Sequence, residues 1–288
     1  MSVKTAIIPV AGMGTRMLPA TKAQPKEMIT VVDKPVIQYI VEEAVDAGIE
    51  NIVFVTAIGK RAIEDHFDRN FELEYRLEQK KKTEALKEVA AIGKLANFSF
   101  VRQNKPLGDG HAVLTAVPFI DRHEPVAVLF GDDIIDAKKP GIKQLIDVYN
   151  RYGDPVIMVT ALPKKEVSKY GVIDGVALDD KTWEIKRFVE KPAPDKAPSN
   201  LAVIGRYVLT PDYIEEQLIN AKPGKDGEIR LANGFVDRLK AKKPVYAGVL
   251  NGAWRQCGDK LNIIKTSVEL GLKDPDIKKE LKKYLKSL

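Results

Sequence analysis

Short apolar runs alternate with helix-period patterns through the first half of the chain. Strands are predicted at residues 5–10, 51–56, 98–102, 126–130 and 156–162. Between them, apolar residues recur at helical spacing near 35–47, 59–68, 110–119 and 140–152. This alternation predicts an α/β fold, in which a mostly parallel sheet is covered by helices on both faces. Ligands of such sheets bind beyond the carboxyl ends of the strands, so the polar residues that follow each strand are the candidates for chemistry.

The pattern changes in two places. Residues 71–96 predict one long charged helix that is inserted into the alternation and projects from the core. From residue 171 extended segments predominate, at 171–177, 184–189 and 201–209, before helices near 211–220 and 228–241 and a strand near 244–250. Helical patterns at 259–272 and 275–287 follow, the latter with Asp274 as N-cap and Pro275 at its first position. We therefore expect a main domain over 1–250 and a helical C-terminal region over 251–288. The apolar stripe of its last helix must cover its own domain or a partner subunit.

Composition narrows the class of protein. The chain has 288 residues, of which 44% are hydrophobic and 30% charged, which excludes intrinsic disorder and a disulfide-built miniprotein. The single cysteine, Cys257, allows no intramolecular disulfide and favours a reducing compartment. No apolar run approaches the roughly 20 residues of a membrane span, and no signal-peptide pattern precedes the first strand. We expect a soluble cytoplasmic protein that does not act at a membrane.

The net charge of +6 comes from 46 basic and 40 acidic residues. Half of the excess lies in residues 273–288, which is consistent with a solvated helix face or with nucleic-acid binding. The rest of the chain is nearly balanced and carries no nucleic-acid-binding signature, so we expect no nucleic acid as partner.

A glycine-containing segment follows the first strand and reads Ala11-Gly12-Met13-Gly14-Thr15-Arg16. Glycines at this place let the backbone approach a phosphate or a base closely. Together with Lys22 and Lys26, Arg16 supplies cations that suit a triphosphate. An ordinary βα turn with surface cations is equally consistent with the spacing. Met17 stands where a dinucleotide fingerprint needs a third glycine, and no Walker A loop occurs.

Three further segments carry candidate chemistry. Asp132 and Asp133 follow the fourth strand, where an aspartate can hold Mg²⁺ or can simply cap the next helix. Glu190-Lys191 ends an extended run, where the pair can bind a sugar and its phosphate or form a surface ion pair. Gln103, near Gly108-Asp109-Gly110-His111, offers an amide that suits a pyrimidine edge.

Other polar and aromatic residues favour structural roles. A helix-capping or packing role is favoured for His111, and packing for Trp183, Trp254 and Cys257. The three histidines show no metal-ligand spacing, and no Gly-x-Ser-x-Gly motif occurs. A covalent mechanism therefore has little support.

Taken together, the motifs resemble those of bacterial-type UTP–glucose-1-phosphate uridylyltransferases. The matching segments are residues 8–22, 25–28, 32–35, 37–39, 65–68, 71–74, 101–103, 110–113, 170–172, 190–192, 198–202 and 205–209. They cover nearly the whole chain. The Ala20-Thr21-Lys22 and Pro25-Lys26-Glu27-Met28 motifs separate this family from its thymidylyl- and adenylyl-transferring relatives.

The resemblance implies a Rossmann-like nucleotidyltransferase fold over residues 1–250 and a C-terminal region that makes oligomer contacts, in a homodimer or homotetramer. It also implies site roles. Nucleotide contacts would come from Ala11, Gly12, Met13, Gly14, Thr15, Glu27, Gln103 and Gly108. Arg16 and Lys26 would hold the triphosphate, and Asp132 would bind Mg²⁺. Gly171 and Glu190 would contact glucose, and Lys191 its phosphate.

The implied reaction is attack of the glucose 1-phosphate oxygen on the α-phosphorus of UTP, with pyrophosphate as the leaving group. Such a nucleophile is already anionic, so positioning and charge neutralisation suffice. Two positions depart from the family pattern. Gln256 and Asn233 stand where carboxylates are usual, and Gln256 lies where a metal ligand is expected. An amide oxygen is a weaker Mg²⁺ ligand, so we expect a looser metal requirement, with Asp133 in reserve.

Two other functions stay open at this point. The same fold could use another nucleoside triphosphate or another sugar 1-phosphate. Alternatively, the two missing carboxylates could mark a catalytically weakened regulatory paralogue.

Overall fold

The structure is a computed structural model that describes residues 2–224 and 226–288. Its strands are β1 (Thr5–Pro9), β2 (Thr30–Val31), β3 (Lys34–Pro35), β4 (Asn51–Thr56), β5 (Asn97–Arg102), β6 (Val126–Leu129), β7 (Asp133–Asp136), β8 (Val156–Ala161), β9 (Gly171–Ala177), β10 (Thr182–Glu190), β11 (Leu201–Leu209), β12 (Tyr246–Val249) and β13 (Ala253–Gln256). Its α-helices are α1 (Val36–Asp46), α2 (Arg61–Phe67), α3 (Phe71–Gln79), α4 (Thr83–Ile92), α5 (Asp109–Ala116), α6 (Gly141–Tyr152), α7 (Leu231–Lys240), α8 (Lys260–Gly271) and α9 (Lys278–Ser287). Short 3-10 helices lie at Thr15–Met17, Ala20–Lys22, Lys26–Met28, Val117–Phe119 and Val167–Lys169, and a π-helix at Tyr213–Leu218.

One large sheet organises the molecule, in the strand order β5-β4-β1-β6-β11-β8-β12-β10-β9. β1 pairs in parallel with β4 and β6, β4 with β5, and β8 with β12. β11 is antiparallel to β6 and β8, and β10 is antiparallel to β12 and β9. All strands of this sheet except β10 and β11 therefore run in one direction, which confirms the predicted mixed, mostly parallel sheet.

Both faces of the sheet are buried. On β1, Ile7 belongs to one hydrophobic cluster and Ile8 to another, because successive strand residues point to opposite faces. Helices α1 and α6 contribute to the cluster of Ile8, and α5 and α7 to that of Ile7. Burial on both faces explains why the central strands are continuous apolar runs without alternation.

Three segments differ from the sequence prediction. Residues 71–96 form two helices, α3 and α4, because the chain turns at Lys80–Lys82, where Lys81 has a left-handed φ of 53°. Helix α9 begins at Lys278 and not at Pro275, since the Asp274 carboxylate accepts hydrogen bonds from the amides of Asp276 and Ile277 and so caps a preceding turn. The C-terminal region predicted to be helical also contains β13, which pairs with β7.

No helix in the described ranges combines the length and the apolar character that crossing a bilayer requires.

Candidate active site

The loop after β1 brings its cations together through a tight turn. Gly14 has a φ of 66°, in the left-handed region, and its carbonyl accepts a hydrogen bond from Thr21 Oγ1 at 2.8 Å. Two short 3-10 helices follow, the first starting at Thr15, before the third places Lys26. Gly14 and Thr15 line neither the hairpin nor the loop cavity described below, and we assign them the role of shaping the loop. Arg16 and Lys26 both reach the region around Asp132.

A first cavity of about 240 Å³, here called the loop cavity, lies against this segment. It gathers five residues predicted to contact the nucleotide, namely Ala11, Gly12, Glu27, Gln103 and Gly108, together with the predicted triphosphate residue Lys26 and the predicted Mg²⁺ ligand Asp132. An outer cavity of about 610 Å³ shares Ala11, Gly12 and Gln103 with it and contains Met13, which is 77% exposed. The residues of the predicted nucleotide motifs therefore line two adjoining cavities.

The Gln103 side chain is held in one orientation. Its Nε2 donates to the Gly108 carbonyl oxygen at 3.1 Å and contacts His111 Nδ1 at 2.9 Å. Since a carbonyl oxygen can only accept, the amide nitrogen must face Gly108, and His111 accepts through Nδ1 in its Nε2-H tautomer. Oε1 accepts no hydrogen bond from the described residues, and Gln103 lines both the loop cavity and the outer cavity, so Oε1 is available as an acceptor there. His111, for which a capping or packing role was predicted, thus orients a candidate base-binding amide.

Gly108 owes its place to a neighbouring segment. Its φ of 101° is disfavoured for other residues, and a Cβ there would collide with the Ile229 carbonyl oxygen. Ile229 N also donates to the Leu107 carbonyl at 2.7 Å. Backbone hydrogen bonds therefore hold segments 107–111 and 228–231 side by side. This arrangement brings Glu228 and Arg230 to the second cavity described below.

Glu27 is a buried carboxylate with a partner that the sequence did not reveal. It is 1% exposed, and its Oε2 accepts from Lys60 Nζ at 2.8 Å. Burial raises the pKa of Glu27 although the Lys60 and Lys26 ammonium groups act against the shift. Lys60 lies at the start of α2, far from the glycine loop in sequence, and no motif marked it.

A second cavity of about 300 Å³, the hairpin cavity, lies beside the β9–β10 hairpin. Its lining includes the predicted sugar-phosphate residues Gly171, Glu190 and Lys191, together with Arg16 and Asp132. Gly171 and Glu190 are register partners, and a Cβ at Gly171 would lie 2.7 Å from the Phe188 ring and 3.1 Å from Glu190 Oε2. The glycine therefore leaves room for the Glu190 carboxylate.

The two cavities meet at an ion pair. Asp132 lines both, and its Oδ2 accepts from Lys26 Nζ at 2.6 Å. Burial alone would raise the pKa of Asp132, but Lys26 and then Arg16 outweigh it, and the pKa lies below its ordinary value. Burial lowers the pKa of Lys26, but the charge of Asp132 raises it, and the net result is a pKa above the ordinary value. Both groups therefore stay charged at the junction.

Asp133, the expected reserve metal ligand, lines the hairpin cavity and accepts one hydrogen bond on each carboxylate oxygen. Its Oδ1 accepts from Trp254 Nε1 at 2.8 Å and its Oδ2 from the Gly205 amide at 3.2 Å. Burial, and then the charge of Asp132, raises the pKa of Asp133 to about 6. Trp254 consequently does more than the predicted packing, since it fixes this carboxylate.

The two departures from the family pattern occupy different places. Gln256 is the register partner of Asp133 in the β7–β13 pair and lines the hairpin cavity. Asn233 lines neither cavity in the described chain; its Oδ1 accepts from the Arg230 amide at 2.8 Å and caps α7. Only Gln256 therefore bears on a metal. Across residues 2–224 and 226–288, no group of three or more His, Cys, Asp and Glu side chains could by itself hold a metal ion.

Comparison with known proteins gives a family. The nucleotidyl transferase family model matches residues 5–271. A UTP–glucose-1-phosphate uridylyltransferase from Staphylococcus epidermidis (strain ATCC 12228 / FDA PCI 1200) is 50% identical over 289 residues, covering 99% of this chain and 98% of the relative. One from Bacillus subtilis (strain 168) is 49% identical over 286 residues, covering 99% and 95%.

Solved structures agree. A UTP-bound UGPase from Acinetobacter baumannii superposes with a TM-score of 0.91 at 41% identity, covering 100% of both chains. A UDP-glucose pyrophosphorylase complexed with UDP-glucose gives a TM-score of 0.86 at 41% identity, covering 95% of this chain and 100% of the other. These likenesses confirm the resemblance found in the sequence motifs. The chain belongs to the nucleotidyl transferase family.

Proposed function

We propose that the chain transfers the uridylyl group of UTP to α-D-glucose 1-phosphate and releases UDP-glucose and pyrophosphate. The observation that carries the proposal is the meeting of two cavities at the Lys26–Asp132 pair, with candidate base-binding groups in one and candidate sugar-phosphate groups in the other. The likeness to uridylyltransferases, and to structures with UTP and UDP-glucose bound, supports the choice of substrates.

The nucleotide would lie in the loop cavity. Gln103 Oε1 would accept the imide N–H that uracil has and cytosine lacks, so its fixed orientation favours UTP over CTP. Ala11, Gly12 and Gly108 would let backbone approach the base, with Met13 at the entrance and Gly14 and Thr15 supporting the turn. Glu27, held by Lys60, would lie near the base or ribose.

The chemistry needs no general base. An oxygen of the sugar phosphate, already anionic near neutral pH, forms a bond to the α-phosphorus of UTP, and the bond to the β-phosphate bridging oxygen breaks as pyrophosphate leaves. Lys26 from the loop cavity and Arg16 and Lys191 from the hairpin cavity would neutralise the phosphates. Gly171 and Glu190 would position the glucose ring for in-line attack.

The donor set fits a magnesium ion that takes most of its ligands from substrate. Mg²⁺ prefers oxygen and is commonly held by one or two carboxylates plus phosphates and water. Asp132 would supply one carboxylate at the junction. Gln256 lines the hairpin cavity, where its Oε1 already accepts from Asn262 Nδ2 at 3.2 Å. When bound, magnesium would neutralise negative charge on the phosphates. Asp132 is meanwhile kept ionised and in place by Lys26.

The remaining features of the proposal concern the whole chain. Residues 1–250 would form the catalytic domain, and 251–288 would make contacts in a homodimer or homotetramer. The exposed apolar side chains Leu261, Ile264 and Tyr284 support such contacts. The protein would act in the cytoplasm on UTP and glucose 1-phosphate, without nucleic acid or membrane.

The test is pyrophosphate release from purified full-length protein with Mg²⁺ and glucose 1-phosphate, supplied in turn with UTP, dTTP, CTP, ATP and GTP. We expect release with UTP to exceed that with CTP by at least about 100-fold. A site built to hydrogen-bond an N–H group discriminates strongly against a base that lacks it, because buried polar groups are left unpaired.

Two results would contradict the proposal. Greater release with another nucleotide than with UTP, or release only when glucose 1-phosphate is replaced by another sugar 1-phosphate in the same assay, would indicate altered specificity on the same fold. No release from folded protein that binds UTP would indicate a regulatory paralogue, a function that Gln256 favours and the set of Arg16, Lys26, Asp132 and Lys191 opposes.

A further inference from the structure

Asp109 is a carboxylate at the junction that neither the motifs nor the proposed chemistry assigns. It is the first residue of α5, and it lines both cavities, as do Phe130, Asp132 and Glu228. Its Oδ1 accepts from the Leu231 amide at 2.7 Å, and no side chain of the described residues donates to it. Asp109 therefore keeps acceptor capacity beside the space that a substrate would occupy.

The surroundings of Asp109 are acidic. Glu190 lies near enough to raise its pKa, and Glu228 lines the same two cavities. Arg230, a cation whose charge acts on Asp109, is engaged by other carboxylates. Its Nη1 donates to Asp226 Oδ1 at 3.1 Å and its Nη2 to Glu228 Oε2 at 2.7 Å. The side chains that line the hairpin cavity thus include more carboxylates than cations.

The hairpin cavity also contains cations. Arg16 and Lys191 line it, and Lys191 Nζ lies 3.7 Å from Glu190 Oε1. These cations would hold the sugar phosphate, whereas Asp109, to which no described side chain donates, would accept from the ring hydroxyls. A carboxylate accepts hydrogen bonds from hydroxyl groups, accepts stronger ones from an ammonium group, and repels another carboxylate. The Asp109 carboxylate would therefore discriminate among sugars by the charge that they carry on the ring.

We propose that Asp109 is a specificity-determining residue that restricts the hairpin cavity to hexose 1-phosphates with a neutral or cationic ring, including amino sugars, and excludes uronic acid 1-phosphates. This inference rests on the proposed function and adds the charge class of its sugar substrate. Burial, and then Glu190, raises the pKa of Asp109 to about 6, so the group is mostly ionised at neutral pH.

The experiment compares glucose, glucosamine and glucuronic acid 1-phosphates with saturating UTP and Mg²⁺ at about pH 7, using full-length protein. The wild type should use glucuronic acid 1-phosphate at least about tenfold less efficiently than glucose 1-phosphate, by kcat/KM. In Asp109→Asn, which keeps an acceptor for the Leu231 amide, the glucosamine-to-glucose ratio should fall and the glucuronate-to-glucose ratio should rise, each by about tenfold.

Two variants serve as controls. Asp121→Asn also removes one carboxylate that accepts from a backbone amide, that of His123 at 2.8 Å, but Asp121 is exposed and lines neither cavity in the described chain. It should leave all ratios unchanged. Asp109→Glu keeps the charge and should retain the wild-type order of the three sugars, whereas a merely structural role would impair all three sugars together.

Several outcomes would overturn the inference while leaving the proposed function intact. One is a wild type that uses glucose and glucuronic acid 1-phosphates equally well, and this result needs no variant to fold. Another is an Asp109→Asn enzyme that changes the KM for UTP but not the sugar ratios, which would place Asp109 at the ribose. A wild type inactive with glucose 1-phosphate would instead overturn the proposed function.

Discussion

At the scale of single residues, the role of each polar group in this site is set by what its other atoms already bind. Asp132 and Asp133 are adjacent in sequence, yet Asp132 pairs with Lys26 at the junction while Asp133 is held by Trp254 and the Gly205 amide. A sequence motif identifies the two aspartates but cannot show which of them faces Lys26 and which is held by Trp254. Gln256 lines the hairpin cavity with its Oε1 engaged by Asn262 Nδ2 at 3.2 Å, so a carboxylate at this position would add an oxygen ligand that the amide does not supply.

We expect Gln256→Asp to lower the Mg²⁺ concentration for half-maximal turnover by about tenfold. The new carboxylate would stand in the hairpin cavity with Asp132, and a charged oxygen ligand binds Mg²⁺ better than an amide oxygen. The measurement is a Mg²⁺ titration of turnover, accompanied by calorimetric titration of UTP binding at each Mg²⁺ concentration.

Asn233→Asp is the matched control, because it makes the same chemical change at the other departure from the family pattern. Asn233 caps α7 and lines neither cavity of the described chain, so its Mg²⁺ dependence should equal that of the wild type. An unchanged dependence in Gln256→Asp, or an equal change in both variants, would contradict the expected looser metal requirement.

At the scale of elements, a buried ion pair ties the sheet to the strand that carries Asp133. Arg206 on β11 is fully buried, and its Nη2 donates to Glu43 Oε2 on α1 at 2.6 Å and to the Asp133 carbonyl at 2.5 Å. Glu43 Oε1 also accepts from the Ile142 amide at 2.8 Å, at the start of α6. One pair thus connects α1, α6, β7 and β11 behind the junction.

Glu43→Gln should lower the free energy of unfolding by about 3 kcal/mol or more, because it leaves the Arg206 guanidinium buried without its counter-charge. Glu42→Gln is the control on the same helix, since Glu42 pairs with Lys34 in a partly exposed position and should contribute less than about 1 kcal/mol. Urea denaturation of both variants measures the difference. Equal losses would show that the buried pair adds nothing beyond a surface pair.

The strands around the site show which parts of the fold can be predicted from the sequence. The parallel half of the sheet was predictable because its strands are long apolar runs separated by helical patterns. The β7–β13 pair was not, since each strand has four residues and they lie more than a hundred positions apart. Consequently, motifs located Asp132 and Gln103, whereas the contributions of Lys60, Asp109 and Trp254 depend on contacts that only the fold creates.

At the scale of the whole molecule, the C-terminal region joins the site to the surface. β13 brings Gln256 to the hairpin cavity, while α8, which follows it, leaves Leu261 and Ile264 exposed three residues apart. On α9, Tyr284 is 60% exposed although Leu281 of the same stripe packs against Gly271. The stripe is therefore only partly covered by its own chain, which favours a second copy as the cover of the rest.

We expect the wild type to sediment as a dimer or tetramer, and Ile264→Glu to raise the dissociation constant for self-association by at least about tenfold. A charge placed in an apolar contact loses its hydration without gaining a partner, and each 1.4 kcal/mol lost is a factor of ten in the dissociation constant.

Val176→Glu makes the same change at another exposed apolar position, on β9, and should leave the dissociation constant unaltered. Sedimentation velocity over a range of concentrations separates the cases. A wild type that stays monomeric at every concentration, or equal weakening by both variants, would refute an interface through α8. Because Ile264 is 61% exposed, its substitution should not disturb the fold, and a loss of association should leave Gln256 and the cavities in place.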